Sequence, residues 1–138
     1  MNEVIQINGV KVDAEKLRNT AQACGLALVV LHGSRAEGRA RPDSDVDIAV
    51  WAFHRPFGDR EWVWKVFEGL EDAIKSPGNL DIAFLNSQSP ILLYEVATRG
   101  KALYEAEPGT FTRFCAYAAQ LYDDHRPLFE EHRRYLKG

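Results

Sequence analysis

Apolar residues in this chain follow two kinds of spacing, a helical one near 3.6 and unbroken or alternating runs, and the switches between them mark out the elements. Residues 4–12, VIQINGVKV, set Asn8-Gly9 between apolar-rich flanks. That dipeptide favours the positive backbone dihedrals of a type I′ two-residue turn, which predicts a short opening hairpin. From Asp13, a good N-cap residue, Ala14, Leu17, Ala21 and Cys24 share one helical face, and Gly25 suits the position just past the helix end. LALVVLH (26–32) is a continuous apolar run between glycines, the pattern of a strand buried on both faces, and DVDIAVWAF (45–53) reads as its partner. The intervening GSRAEGRARPDS is rich in Gly, Arg and Pro and predicts a loop with at most one or two helical turns.

Residues 59–75 carry the clearest helical stripe: Trp62, Val63, Val66, Phe67, Leu70, Ala73 and Ile74 on one side, with Glu68, Glu71, Asp72 and Lys75 opposite. Ser76-Pro77-Gly78 ends it. NLDIAFLN (79–86) predicts a third strand. Ser89 then caps a helix with Pro90 at its first position and Gly100 past its end, and KALYE (101–105) predicts a fourth short strand. Over 109–136 apolar residues recur seven apart in two adjacent rows, Phe114, Leu121, Leu128, Tyr135 and Cys115, Tyr122, Phe129, Leu136. This predicts one amphipathic helix or a pair, kinked or broken at Pro127, which lacks an amide donor and disfavours helical geometry at Arg126.

With 138 residues and 46% hydrophobic content, the chain supports one compact core. The expectation is a single domain over 1–138, its core at about 13–106 and a C-terminal helical segment at about 109–136. A net charge of −3 and a pI near 5.8 show no whole-protein field for nucleic-acid backbone, so direct nucleic-acid binding is not expected. Cys24 and Cys115 lie outside any metal-ligand spacing and read as reduced core thiols. There is no basic-then-apolar leader and no run of the roughly 18 apolar residues that a membrane span needs, so a cytoplasmic protein without membrane contact is expected.

The candidate chemistry lies in residues 33–47. Gly33-Ser34 follows a buried strand, ten residues intervene, and Asp45-Val46-Asp47 opens the next strand. Gly33 lets backbone approach a ligand closely. Ser34, at the start of a helical turn, offers a hydroxyl and neighbouring free amides to a phosphate, and Arg35 and Arg39 add charge-assisted contacts. Asp45 and Asp47, two apart in a strand, leave the same face with Cα atoms about 7 Å apart. A divalent cation relieves the repulsion between carboxylates so placed, and hard oxygen ligands suit magnesium or manganese over zinc. Asp81, early in an otherwise apolar strand, is costly to bury unless paired or metal-bound, and completes a triad suited to two-metal phosphoryl transfer.

These residues resemble the DNA polymerase β-type nucleotidyltransferase superfamily and, within it, the minimal nucleotidyltransferase (MNT) proteins. The resemblance runs from the first predicted helix through KALYE. Its core is HGSRAEGRARPDSDVDIAV (32–50), with Gly-Ser, the ten-residue spacer and Asp-x-Asp, followed by LDIAFLN (80–86) with the third acid. It implies that Asp45 and Asp47 ligate two magnesium ions, with manganese an alternative. Asp81 is then implied to ligate the catalytic metal and help activate an acceptor hydroxyl, and Gly33-Ser34 to bind the triphosphate of ATP, with Arg35 beside them. Small MNT proteins are typically antitoxins that adenylylate a tyrosine of a HEPN-family ribonuclease toxin, so such a toxin is the expected partner and a homo- or hetero-oligomer an expected assembly. Many relatives are basic where Glu37 stands, which removes the ground for assuming a phosphate contact there.

The fold expected is α/β (α+β), a mixed four- to five-stranded sheet with helices mainly on one face and a C-terminal amphipathic helix. Two other functions fit the same residues: an antitoxin that acts by binding alone, and a small-molecule adenylyltransferase. Asp81 also fits a solvent-facing acid near a strand end, and Arg35, Arg39 and Arg41 fit a solvated basic loop. Trp64, on the polar helix face, fits either a partner contact or a lone surface aromatic. His32 fits a packed or hydrogen-bonded neighbour of the site better than a catalytic base. Arg126 and His132 superficially match a ribonuclease spacing, but Pro127 between them favours a solvated helix face.

Overall fold

The computed structural model of the chain describes residues 3–54 and 59–137, the side chains of 129 and 132–137 excepted. Strands β1 (Val4–Ile7) and β2 (Val10–Asp13) form the opening hairpin, with Asn8 at φ 49° and Gly9 at φ 85° as the I′ turn requires. Helix α1 (Ala14–Cys24) starts at Asp13, whose side chain accepts from the Lys16 amide, and stops at Gly25 in the left-handed region. Then come β3 (Leu26–His32), a short α2 (Gly33–Glu37), β4 (Val46–Ala52) and α3 (Arg60–Ala73). The order continues with β5 (Ile74–Lys75), β6 (Leu80–Phe84), α4 (Pro90–Arg99), β7 (Lys101–Glu105) and α5 (Thr110–Lys137).

The main sheet has the order β6-β4-β3-β7, and β1-β2-β5 form a second, smaller sheet. β4 and β6 run parallel, joined through α3, and the other pairs of the main sheet are antiparallel. This is the mixed α/β architecture expected. The helices, however, are shared between both faces rather than gathered mainly on one. Leu26, Val29, Leu31, Ile48 and Val50 pack against Leu17 and Ala21 of α1 and Val66 and Leu70 of α3. Leu28, Val30 and Ala49 pack against Leu93 and Val96 of α4 and Phe114 and Ala118 of α5. An unbroken apolar strand such as β3 needs cover on both sides, and α5 supplies much of the second.

Two further expectations are corrected. The helix predicted over 59–75 ends at Ala73; Ile74 and Lys75 are extended and pair with Val12 and Lys11 of β2. Ile74 is buried in the strand, so its apolar character is served there, and a β-branched residue beside a strand edge favours the extended form. At the other end, α5 continues through Pro127 without a break. Asp123, whose carbonyl loses its intrahelical donor there, is exposed to water, and an Arg126–Glu130 pair at 3.2 Å spans the proline. Beyond the proline, Leu128 is 62% exposed, and the side chains of Phe129, His132, Tyr135 and Leu136 lie outside the described residues. Cys24 and Cys115 are free and half-buried, and burial pushes both thiols up. Among the described residues no helix is long and apolar enough to cross a membrane.

Candidate active site

Topology brings the candidate residues to one edge of the main sheet. β3 ends there and, being antiparallel to both neighbours, meets the starts of β4 and β7; β6, parallel to β4, starts at the same edge. His32 is therefore the register partner of Asp47, and Asp47 of Asp81. The three side chains form a row across adjacent strands spaced about 4.8 Å apart. Alternation along β4 puts this row on the face opposite Val46 and Ile48, towards α4. Asp45 lies one residue ahead of β4, exposed, and Asp81 is also exposed, whereas Asp47 is half-buried.

Gly33 closes the row from the side. Its φ is 72°, and a Cβ there would fall on Asp47 Oδ2, so only glycine lets the turn into α2 pass over this carboxylate. Burial pushes the Asp47 carboxyl above its ordinary value; His32 counters this, while Asp81 and Asp45 push it further up. Burial likewise holds the His32 imidazole below its usual value, against the pull of Asp47, Asp81 and Glu95. His32 is thus a neutral ring at neutral pH, a half-buried neighbour of the acids. Burial and the two neighbouring acids thus oppose the ionised Asp47, which is what a bound cation relieves.

The row suits magnesium held from one side. Among the described residues no three His, Cys, Asp or Glu side chains are drawn together tightly enough to enclose a metal. Magnesium characteristically takes one or two carboxylates and completes its shell with water and phosphate oxygens, so an open pair of aspartates beside a glycine turn fits it, and the oxygen-only donor set does not suit zinc.

Ser34 is half-buried in the first turn of α2. Arg35 is placed differently from the expectation of a nucleotide contact. It is 4% exposed, and its guanidinium donates to the main-chain carbonyls of Asn8, Pro42 and Ser44, so it holds the loop rather than reaching into the site. Arg39 is exposed and donates to Glu37 at 2.6 Å, and Arg99 at the end of α4 lies 3.8 Å from the same carboxylate. The hydrogen bond from Arg39 holds the Glu37 carboxyl below its usual range. Glu37 therefore occupies two arginines at the rim instead of leaving the loop basic.

Sequence reasoning did not find Glu95, Arg99 or Gly78 at this edge. The first two read as ordinary polar positions of a helix, and Gly78 as a helix stop. In the structure Gly78 lies against the Ser44–Asp45 peptide, where a Cβ would meet the Ser44 carbonyl, and Val46 N–H donates to the Asn79 carbonyl at 2.7 Å. Trp64 is 66% exposed on α3, away from this edge.

The fold is that of several solved structures. A toxin–antitoxin with AMP-PNP aligns over 92% of this chain and 100% of its own, with TM-score 0.70 at 22% identity. The toxin–antitoxin MntA-HepT aligns over 91% and 97%, with TM-score 0.63 at 21% identity. A tri-AMPylated Shewanella oneidensis HEPN toxin in complex with MNT antitoxin gives 87% and 95%, with TM-score 0.53 at 21% identity. In sequence, the protein adenylyltransferase MntA of Shewanella oneidensis is 35% identical over 79 residues, which are 57% of this chain; the match spans about half of that relative, 54%. The family model for Polymerase beta, Nucleotidyltransferase matches residues 15–108, which contain the Gly-Ser turn and all three aspartates, and the chain belongs to that family.

Proposed function

We propose that this chain transfers AMP from ATP to a tyrosine hydroxyl of a HEPN-type toxin in the cytoplasm, neutralising the toxin as its antitoxin. The observation that carries the reading is the row at the sheet edge, where Asp47 and Asp81 are register partners on parallel strands and Gly33 passes directly over Asp47. The relative's adenylyltransferase activity and the nucleotide-bound and AMPylated neighbours support the choice of ATP and of a HEPN partner.

In this reading Asp45 and Asp47 would hold two magnesium ions, or manganese in their place, and Asp81 would be a further ligand of the catalytic one. The metal supplies charge neutralisation on the phosphates and lowers the pKa of the attacking hydroxyl. Gly33 and Ser34 seat the triphosphate. The acceptor oxygen attacks the α-phosphorus in line, the bond to the β-phosphate oxygen breaks, and pyrophosphate leaves. Asp81, exposed at the rim, faces the incoming hydroxyl and takes its proton. His32, half-buried, stands beside Asp47 as its register partner. Arg39 and Arg99 are paired with Glu37.

The test is mass spectrometry of the cognate HEPN protein after incubation with this chain, ATP and magnesium. AMP added to tyrosine by wild type, and lost in Asp47→Asn and Asp81→Asn, is the expected result. A toxin that stays unmodified while both variants still neutralise it by forming the complex would replace transfer with inhibition by binding.

A further inference from the structure

Arg35 and Asn8 form a reciprocal pair that the chemistry above does not use. The guanidinium donates to the Asn8 carbonyl at 3.3 Å and to those of Pro42 and Ser44 at 3.0 Å each. Asn8 Nδ2 donates in return to the Arg35 carbonyl at 2.6 Å. One turn of the amino-terminal hairpin is thereby tied to the helix that begins at Gly33 and to the peptide immediately before Asp45. Gly78 lies against the same peptide, where an added Cβ would come within 3.2 Å of the Asp45 Cα. Ten residues separate Ser34 from Asp45, and beyond α2 those from 38 to 45 belong to no helix or strand that would fix where Asp45 stands. Arginine suits the task because its planar fork serves several carbonyls at once, which a lysine ammonium on a flexible stem does less well.

We propose that Asn8 is a positioning residue of the nucleotide site: through Arg35 it sets where the Ser44–Asp45 peptide stands relative to Gly33-Ser34. The hairpin turn lies outside residues 15–108, the part matched to the family, yet it belongs to the support of the active site. The inference rests on the reading of Asp45 and Ser34 as metal and phosphate contacts. A glycine at position 8 keeps the turn, since both central positions of a type I′ turn accept glycine, and removes only the side-chain bond. A merely structural turn residue is therefore replaceable by glycine without effect on the site.

The experiment uses the full chain and Asn8→Gly, with Arg35→Lys as the stronger variant. Without ligand, amide hydrogen exchange over residues 38–46 is expected to quicken in Asn8→Gly while exchange in β3 and α3 stays as in wild type. With magnesium and a non-hydrolysable ATP analogue, the dissociation constant is expected to rise about fivefold, the size of one neutral hydrogen bond, with the thermal midpoint nearly unchanged. In turnover the loss falls on the KM for ATP rather than the KM for the acceptor. Wild-type exchange over 38–46 in Asn8→Gly overturns the proposal, as does faster exchange there with wild-type analogue affinity. Failure of the wild-type chain to bind the analogue instead overturns the nucleotide reading, and the clamp is then judged by the exchange alone.

Discussion

At the sheet edge, burial and two neighbouring carboxylates all oppose the ionised form of Asp47. A carboxyl whose folded pKa lies above its unfolded value stabilises the fold fully only below the unfolded pKa, and that contribution disappears as pH rises through the folded pKa. At neutral pH the ionised Asp47 therefore weighs against the fold. Asp47→Asn is expected to raise the thermal midpoint at pH 7 in chelator, with the gain shrinking toward about pH 4, near the ordinary carboxylate range. Thermal melts across that range check the sign. Magnesium should raise the wild-type midpoint more than that of the variant, since wild type alone has this charge to neutralise. An Asp47→Asn protein that melts lower than wild type at pH 7 in chelator would remove the electrostatic account.

The contact between α1 and α3 turns on Gly69. A Cβ there would fall on the Thr20 side chain, so the two helices approach more closely than larger residues permit. Alanine is the better helix former by roughly 1 kcal/mol, but overpacking a filled contact costs about 1–3 kcal/mol. The second term is the larger, and Gly69→Ala is expected to destabilise the fold. A lower urea midpoint at unchanged m-value is the readout, and a raised midpoint would mean that the helices separate freely. The same packing directs the chain end of α3 onto β2, where Ile74 joins the second sheet, so the crossover from β4 to β6 is anchored before it delivers Asp81 to the edge.

Two layers of helix enclose the main sheet, and α5 is essential to the second. Phe114 is 1% exposed and meets Trp51 edge-on with ring centroids 5.2 Å apart; farther along, Tyr122 stacks on Tyr94 of α4 at 4.1 Å. Phe114→Ala is expected to cost about 3–5 kcal/mol, the usual range for a buried phenylalanine truncated in a core. Leu128→Ala, in the exposed reach of the same helix, should stay within about 0.5 kcal/mol. Equilibrium unfolding of both variants tests the contrast. If the two cost the same, the helix is held by something other than its contact with the sheet.

Much of this molecule is legible in short windows of sequence. The Asn8-Gly9 turn, the Asp13 and Ser89 caps, the Gly25 stop and the buried run of β3 each depend on a few adjacent residues, whose own dihedral preferences and apolar spacing carry the signal. The Gly-Ser turn is legible too, as are Asp47 and Asp81, because acids in apolar strands stand out; Asp45, expected inside the strand with Asp47, stands one residue ahead of it. Only the tertiary structure placed Asp81 in register with Asp47, divided the helices between two faces, took Ile74 and Lys75 out of their helix and turned Arg35 inward. Each of these is decided by a partner distant in the chain: another strand, another layer, or a carbonyl of the opening hairpin. Residue type tells what a side chain needs, a hydrogen bond or an apolar neighbour, while which segment meets the need is settled by the packing of the whole chain.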